Sequence, residues 1–304
     1  MAIYHFSCSV ISRSKGLSPV YVAGRYSCEK LYDARLGKTI VLVNNHNVVF
    51  KKILLPQNAP VWMSDREKLW NAVEKAEYRK DSQLAREINV SLPRELTNNQ
   101  NIKLATDFVQ NEFVARGMVA DLCIHMDKNK DGEEQPHAHV MLTMRVVKED
   151  GFGLKERGWN GRKNIMLWRE SWAKYVNRYL ALNGVDQRID HRSYAEQGID
   201  LIPQNKIGSS YRKEIYGIKR AEHDHIAREN GDRILKDPAI VLRAIACKQS
   251  TFTDQDLVKF IERYSTNVDQ FKAVYEKVRS SEHIIFLGKN DDGIEKFTAV
   301  FGDK

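Results

Sequence analysis

Residues 86–92, 119–125 and 137–145 alternate side chains with a period of two, and this pattern constrains the fold more than any other feature of the chain. In 86–92, Ile88, Val90 and Leu92 point one way and leave Glu87, Asn89 and Ser91 on the other face. The segments 119–125 and 137–145 are joined by the polar run MDKNKDGEEQP, which favours an antiparallel hairpin. Helical periodicity falls between and after these strands. It places Leu69, Val73 and Ala76 on one face of 64–79, predicts a helix over 98–116 ending at Gly117, and spaces Trp168, Trp172, Val176 and Leu180 by fours within 163–182. Upstream, residues 3–11 read as a strand and 12–18 as a turn. Ser18-Pro19 starts a helix predicted over 19–34, with a hydroxyl to cap it and a proline where no N–H is needed. Two β-rich runs within 39–55, separated by Asn44-Asn45-His46-Asn47, predict a hairpin. Strands and helices alternate along this part of the chain, an α+β class.

A chain of 304 residues has room for more than one domain. The segment 206–237 is a charged helical connector. Residues 238–304 form a small unit of three predicted helices, the second opened by the capping pattern Thr253-Asp254-Gln255-Asp256, followed by strand, turn and strand, a winged-helix-like order. That leaves 1–205 as the first domain. The net charge of +8 sits mostly in that first part, a balance that suits a polyanionic partner. No apolar run approaches the roughly 20 residues of a membrane span, and the N-terminus carries no signal-like segment, so a cytoplasmic location is expected. The four cysteines are scattered without a CxxC pair and read as reduced thiols.

The chemistry concentrates on the hairpin. His137 and His139 share one strand face. His125 ends the preceding strand on the face of Asp121 and Cys123, so pairing brings it beside them. Three imidazoles converging from rigid strands make a divalent-metal site with positions left open for substrate oxygens. Glycine-rich phosphate loops and serine or cysteine elbows are lacking, and Tyr21 and Tyr26 in the first helix are the candidate nucleophiles. From the residues alone the reading is a metal-dependent phosphoryl-transfer enzyme.

The segments MAIYHFSCSVISRSKG, RKDSQLAREINVSLPREL, PHAHVMLTMR, WRESWA and RIDHRS, in this order, resemble the MobA/MobL family of conjugative relaxases. The resemblance runs through about residue 205. Residues 238–300 also resemble the segment that precedes the helicase part of TraA-type relaxase-helicases, a resemblance that implies an N-terminal relaxase part.

The resemblance implies an HUH-type fold, an antiparallel sheet flanked by helices, and a nuclease that nicks one DNA strand at a transfer origin. It implies a 5′-phosphotyrosine link and rejoining of the strand after transfer. His125, His137 and His139 would bind the metal, with Mg or Mn favoured by substrate oxygens and Zn or Ni by imidazoles. Glu87 matches an acidic position near this centre. Implied partners are single-stranded DNA at the origin (oriT), accessory relaxosome proteins and a type IV secretion coupling protein.

Relatives usually read AYRSGEKL where this chain has Gly24-Arg25-Tyr26-Ser27-Cys28-Glu29-Lys30-Leu31, so a gapless match sets Arg25 at the family's tyrosine. Tyr26 is the first candidate nucleophile, and Tyr21, one turn before position 25, the second. Arg25, Arg157, Arg162, Lys163, Arg169, Arg188 and Arg192 are the expected DNA-binding residues. The alternatives are an origin-binding module that has lost nicking, and a rolling-circle replication initiator.

Overall fold

The computed structural model describes residues 4–41, 47–128, 132–204, 213–290 and 292–301. They form two compact units, which divide between Val185 and Asp186.

The elements of the first unit are, in chain order, β1 (Phe6–Ser12), α1 (Pro19–Ser27), β2 (Leu31–Asp33), β3 (Lys38–Ile40), β4 (Val48–Leu54), α2 (Arg66–Lys75), β5 (Gln83–Ser91), α3 (Asn98–Glu112), β6 (Ala120–Lys128), β7 (Glu134–Thr143), β8 (Arg145–Lys148), β9 (Gly151–Lys155) and α4 (Arg162–Leu182). Five strands make one antiparallel sheet in the order β1-β5-β7-β6-β4. The period-two segments supply its centre. Ile88, Val90, Leu122, Ile124, Ala138, Val140 and Leu142 are buried on one face, covered by α3 and α4. There Trp172 stacks edge-on to Phe108 at 4.9 Å, and Trp168 to Phe113 at 5.1 Å. The opposite face is covered in part by α1 and α2, whose Val20, Val22, Leu69 and Trp70 pack with Ile11, Ala85 and Met141. The α+β expectation of an antiparallel sheet flanked by helices is met in this sheet and its two helical layers.

Two local expectations are corrected. The first helix stops at Ser27 rather than near residue 34, because Cys28 adopts a left-handed conformation (φ 52°) and its N–H closes onto the Gly24 carbonyl. Glycine is the residue for which this conformation is unstrained, and a cysteine bears a cost there. The following residues become β2, which pairs with β3 so that Leu31 and Ile40 are both buried. Accordingly, the described residues of the two runs of 39–55 do not pair with each other. β4 instead lies along β6, with Lys51 opposite Cys123, since burial in the larger sheet outweighs a local turn preference. Most of the expected turn falls outside the described residues.

A buried ion-pair network ties these pieces together. Arg66 on α2 grips both carboxylate oxygens of Asp121 at 2.8 Å and reaches Glu29 at 2.6 Å; Trp70 Nε1 donates to Asp121 at 2.9 Å. Lys51 pairs with Glu29 at 2.8 Å and donates to the Ser27 carbonyl at 3.1 Å, which holds the end of α1 against the sheet. Removing one partner of a buried pair strands the other charge. Asp121→Ala is therefore expected to lower unfolding stability by about 3–5 kcal/mol in urea titrations; a loss below about 1 kcal/mol would mean that Arg66 finds other compensation.

The second unit contains α5 (Lys213–Lys236), α6 (Ala239–Ala246), α7 (Asp254–Arg263), α8 (Val268–Arg279), β10 (Ile284–Lys289) and β11 (Glu295–Ala299). Helices α6 to α8 followed by the β10–β11 hairpin give the winged-helix-like order, and Thr253 and Asp256 form the capping box. Its core of Ile240, Val241, Ile245, Leu257, Ile261, Val274, Val278 and Phe297 also takes in Ile199, Leu201 and Ile234. Asn230 on α5 exchanges two hydrogen bonds with the Ile202 backbone, at 2.8 and 2.9 Å. Residues 186–204 thus pack with the second unit, which is why compactness divides earlier than position 205.

Candidate metal centre and nucleophile

In the β6–β7 ladder His125 faces His137 and Cys123 faces His139, so the alternation delivers all three histidines to one side of the sheet. Their ring centroids lie 5.3, 4.8 and 5.0 Å apart, and one ligand atom from each falls within 4.8 Å of the others. His125 is buried; His137 and His139 are partly exposed.

The hydrogen bonds fix two tautomers, because a carbonyl oxygen only accepts. His125 Nε2 donates to the Tyr26 carbonyl at 2.7 Å, so its lone pair is on Nδ1. His137 Nδ1 donates to the Gln135 carbonyl at 2.8 Å, so its lone pair is on Nε2. Imidazoles, two of them oriented by backbone carbonyls, form a donor set that suits a divalent cation, and the residues fit such an ion.

Tyr26 is delivered to this cluster by α1. Ser18 caps the helix by accepting from the Tyr21 N–H, and Pro19 fills the first turn. Val22 and Tyr26, four residues apart, are buried, whereas Tyr21 and Arg25 are exposed on the outer face. The Tyr26 ring stacks on His139 with centroids 3.8 Å apart and planes 12° apart. Its hydroxyl donates to Glu87 Oε1, while Ser9 Oγ donates to Oε2 of the same carboxylate at 2.9 Å. Burial, and after it the hydrogen bond and charge of Glu87, push the phenol above its ordinary pKa; Arg25 pulls weakly the other way. Tyr26 at rest is a protonated phenol with a carboxylate already in place to take its proton.

Of the expected site residues, Tyr26, Glu87, His125, His137 and His139 converge, and Tyr21 lies outside the cluster, 38 % exposed. Arg157, Arg162, Lys163 and Arg169 are exposed around the start and first half of α4; the Arg169 guanidinium lies 5.8 Å from the Tyr4 ring centroid. Arg188 and Arg192 belong to the second unit. Arg188 donates from its backbone to Lys248 O at 2.6 Å, and Arg192 grips Asp190 at 2.7 Å, which offsets its charge. Ser9 escaped the sequence reading, because its place beside Glu87 depends on the β1–β5 register, which sets Ser9 opposite Glu87.

The profile of the MobA/MobL family matches residues 18–215. "Conjugal transfer protein TraA" of Agrobacterium fabrum is 35% identical across 95% of this chain, which spans 30% of that relative's length. "Mobilization protein MobL" of Acidithiobacillus ferridurans is 30% identical across 79% of this chain and 71% of its own. A solved structure described as "Molecular Basis of Vancomycin Resistance Transfer in Staphylococcus aureus" is 35% identical, with a TM-score of 0.59, over 64% of this chain and 100% of that one. The chain belongs to the MobA/MobL family.

Proposed function

We propose that the first unit is a relaxase that cleaves one DNA strand at a transfer origin and becomes joined to it through Tyr26. The observation that carries this reading is the Tyr26 hydroxyl bonded to Glu87 while its ring lies on His139 of the histidine cluster. In the cleavage step the Tyr26 oxygen forms a bond to the scissile phosphorus and its proton passes to Glu87. The bond from phosphorus to the 3′ oxygen breaks, and that oxygen leaves as a hydroxyl after taking a proton from Glu87 or water. Ser9 keeps the carboxylate turned toward the phenol. A divalent ion held by His125, His137 and His139 would draw charge from a nonbridging phosphate oxygen. Because the phosphotyrosine conserves the energy of the phosphodiester, the step runs backward when a 3′-hydroxyl returns, which is the rejoining reaction. The second unit, the accessory proteins and the secretion coupling protein of a conjugative system belong to this proposal through family membership.

The test is cleavage of a 3′-labelled single-stranded oligonucleotide spanning the element's own origin, with and without chelator. A nick that leaves a polymerase-extendable 3′-hydroxyl and a label retained on protein in denaturing gels is expected. Tight origin binding without cleavage under Mg, Mn, Zn or Ni would instead establish a binding module.

Binding should weaken steeply with salt through the exposed basic residues of the α4 region. Changing Arg157, Arg162, Lys163 and Arg169 together to Ala should reduce the slope of log K against log salt by about 0.7 for each phosphate no longer neutralised. An unchanged slope would show that these side chains only solvate the surface.

A further inference from the structure

Tyr26 is the last residue but one of a nine-residue helix, so the aim of its ring depends on what holds that end. Helix ends fray, and their last carbonyls have no partner within the helix. Here the Ser27 carbonyl, one residue beyond Tyr26, accepts from Lys51 Nζ at 3.1 Å. The same ammonium pairs with Glu29 Oε1 at 2.8 Å. The other oxygen of Glu29 accepts from Arg66 at 2.6 Å, and Arg66 holds Asp121 of β6 through two further nitrogens. Lys51 stands opposite Cys123 in the β4–β6 ladder, and Asp121, Cys123 and His125 alternate onto one face of β6. The brace thus ties the chain just after Tyr26 to the strand that carries His125.

We propose that Lys51 is a positioning residue for Tyr26, fixing the last turn of α1, with Glu29, so that the phenol oxygen stands where it meets the scissile phosphorus. The proposal rests on the reading of Tyr26 as the nucleophile. Lys51 binds the Ser27 carbonyl and Glu29 rather than the phenol, so its effect passes through the helix end. A reacting atom misplaced by about 1 Å costs on the order of 10²-fold in rate, and a short helix released at one end moves by that much.

The experiment is single-turnover adduct formation by the metal-loaded full chain on the origin oligonucleotide, with affinity and melting temperature measured beside it. Wild type, Lys51→Met, Lys51→Arg and Glu29→Gln are compared. Lys51→Met keeps the aliphatic stem and removes the ammonium. It should slow adduct formation by about ten- to a hundredfold at saturating oligonucleotide, with affinity, its salt dependence and melting temperature as in wild type. Lys51→Arg, which still donates to both the carbonyl and the carboxylate, should return the rate to within about threefold of wild type. Glu29→Gln takes away the counter-charge and should slow the step with no loss of affinity. A Lys51→Met rate within about twofold of wild type would overturn the proposal. A defect that vanishes at saturating oligonucleotide and comes with weaker, less salt-dependent binding would also overturn it, making Lys51 a phosphate contact. So would a defect that follows a fall in melting temperature and that Lys51→Arg leaves unrepaired, which would reduce Lys51 to support of the fold. If wild type forms no adduct, the nucleophile reading fails and Lys51 with it; if wild type forms one and Lys51→Met matches it, this inference alone fails.

Discussion

His137→Ala and His139→Ala are each expected to reduce cleavage of an origin oligonucleotide by at least about a thousandfold, the scale on which preorganised electrostatic stabilisation of a developing charge acts. Both side chains are partly exposed on a regular strand of the sheet. Shortening them removes a donor without opening a core cavity, so melting temperature and oligonucleotide affinity should change little. His125→Ala is a poorer probe. That ring is buried and donates to the Tyr26 carbonyl, and its loss should destabilise the fold by about 1–3 kcal/mol and displace α1 as well. The comparison belongs in chelated samples titrated back with metal: wild type should regain activity and His137→Ala should not. Equal cleavage by both at every metal concentration would contradict the assignment of the cluster.

Tyr26→Phe is expected to abolish the covalent adduct, whereas Tyr21→Phe should retain it. The first substitution removes one oxygen and keeps the ring that stacks on His139, so stability should move by no more than about 1 kcal/mol. Tyr21, on the exposed side of α1, makes no contact with the histidine cluster among the described residues. Glu87→Gln retains the shape of the carboxylate but cannot accept a proton, and should slow cleavage by about 10²–10⁴-fold while leaving binding intact. An adduct that survives Tyr26→Phe and disappears in Tyr21→Phe would reverse the assignment.

The histidine cluster was legible because alternation along two strands and the composition of one loop suffice to define a hairpin, and the register then follows. The same alternation placed Glu87 on a polar face, and the tryptophan spacing gave α4 within a residue or two. The orientation of Tyr26 was less accessible. Helical geometry turns a side chain by about 100° per residue, so a gapless match that sets Arg25 at the motif's tyrosine leaves the direction of Tyr26 open. The structure has Tyr26 inward because it shares the buried face with Val22, while Arg25 goes outward with Tyr21. The end of α1 depended on one left-handed cysteine, which no periodicity announces. The partner of β4 and the packing of residues 186–204 are long-range choices, made by burial against segments distant in sequence. For the same reason Arg188 and Arg192 were grouped with basic residues that belong to the other unit.

Mapping the DNA-bearing peptide by mass spectrometry tests the central claim most directly. Trypsin cuts after Lys15, Arg25 and Lys30, so Tyr21 falls in the peptide 16–25 and Tyr26 in 26–30. After nuclease trimming of the adduct, a phosphonucleotide is expected on the peptide 26–30, with 16–25 unmodified. The modification on 16–25, or no modified peptide with wild-type protein and active metal, would contradict the account.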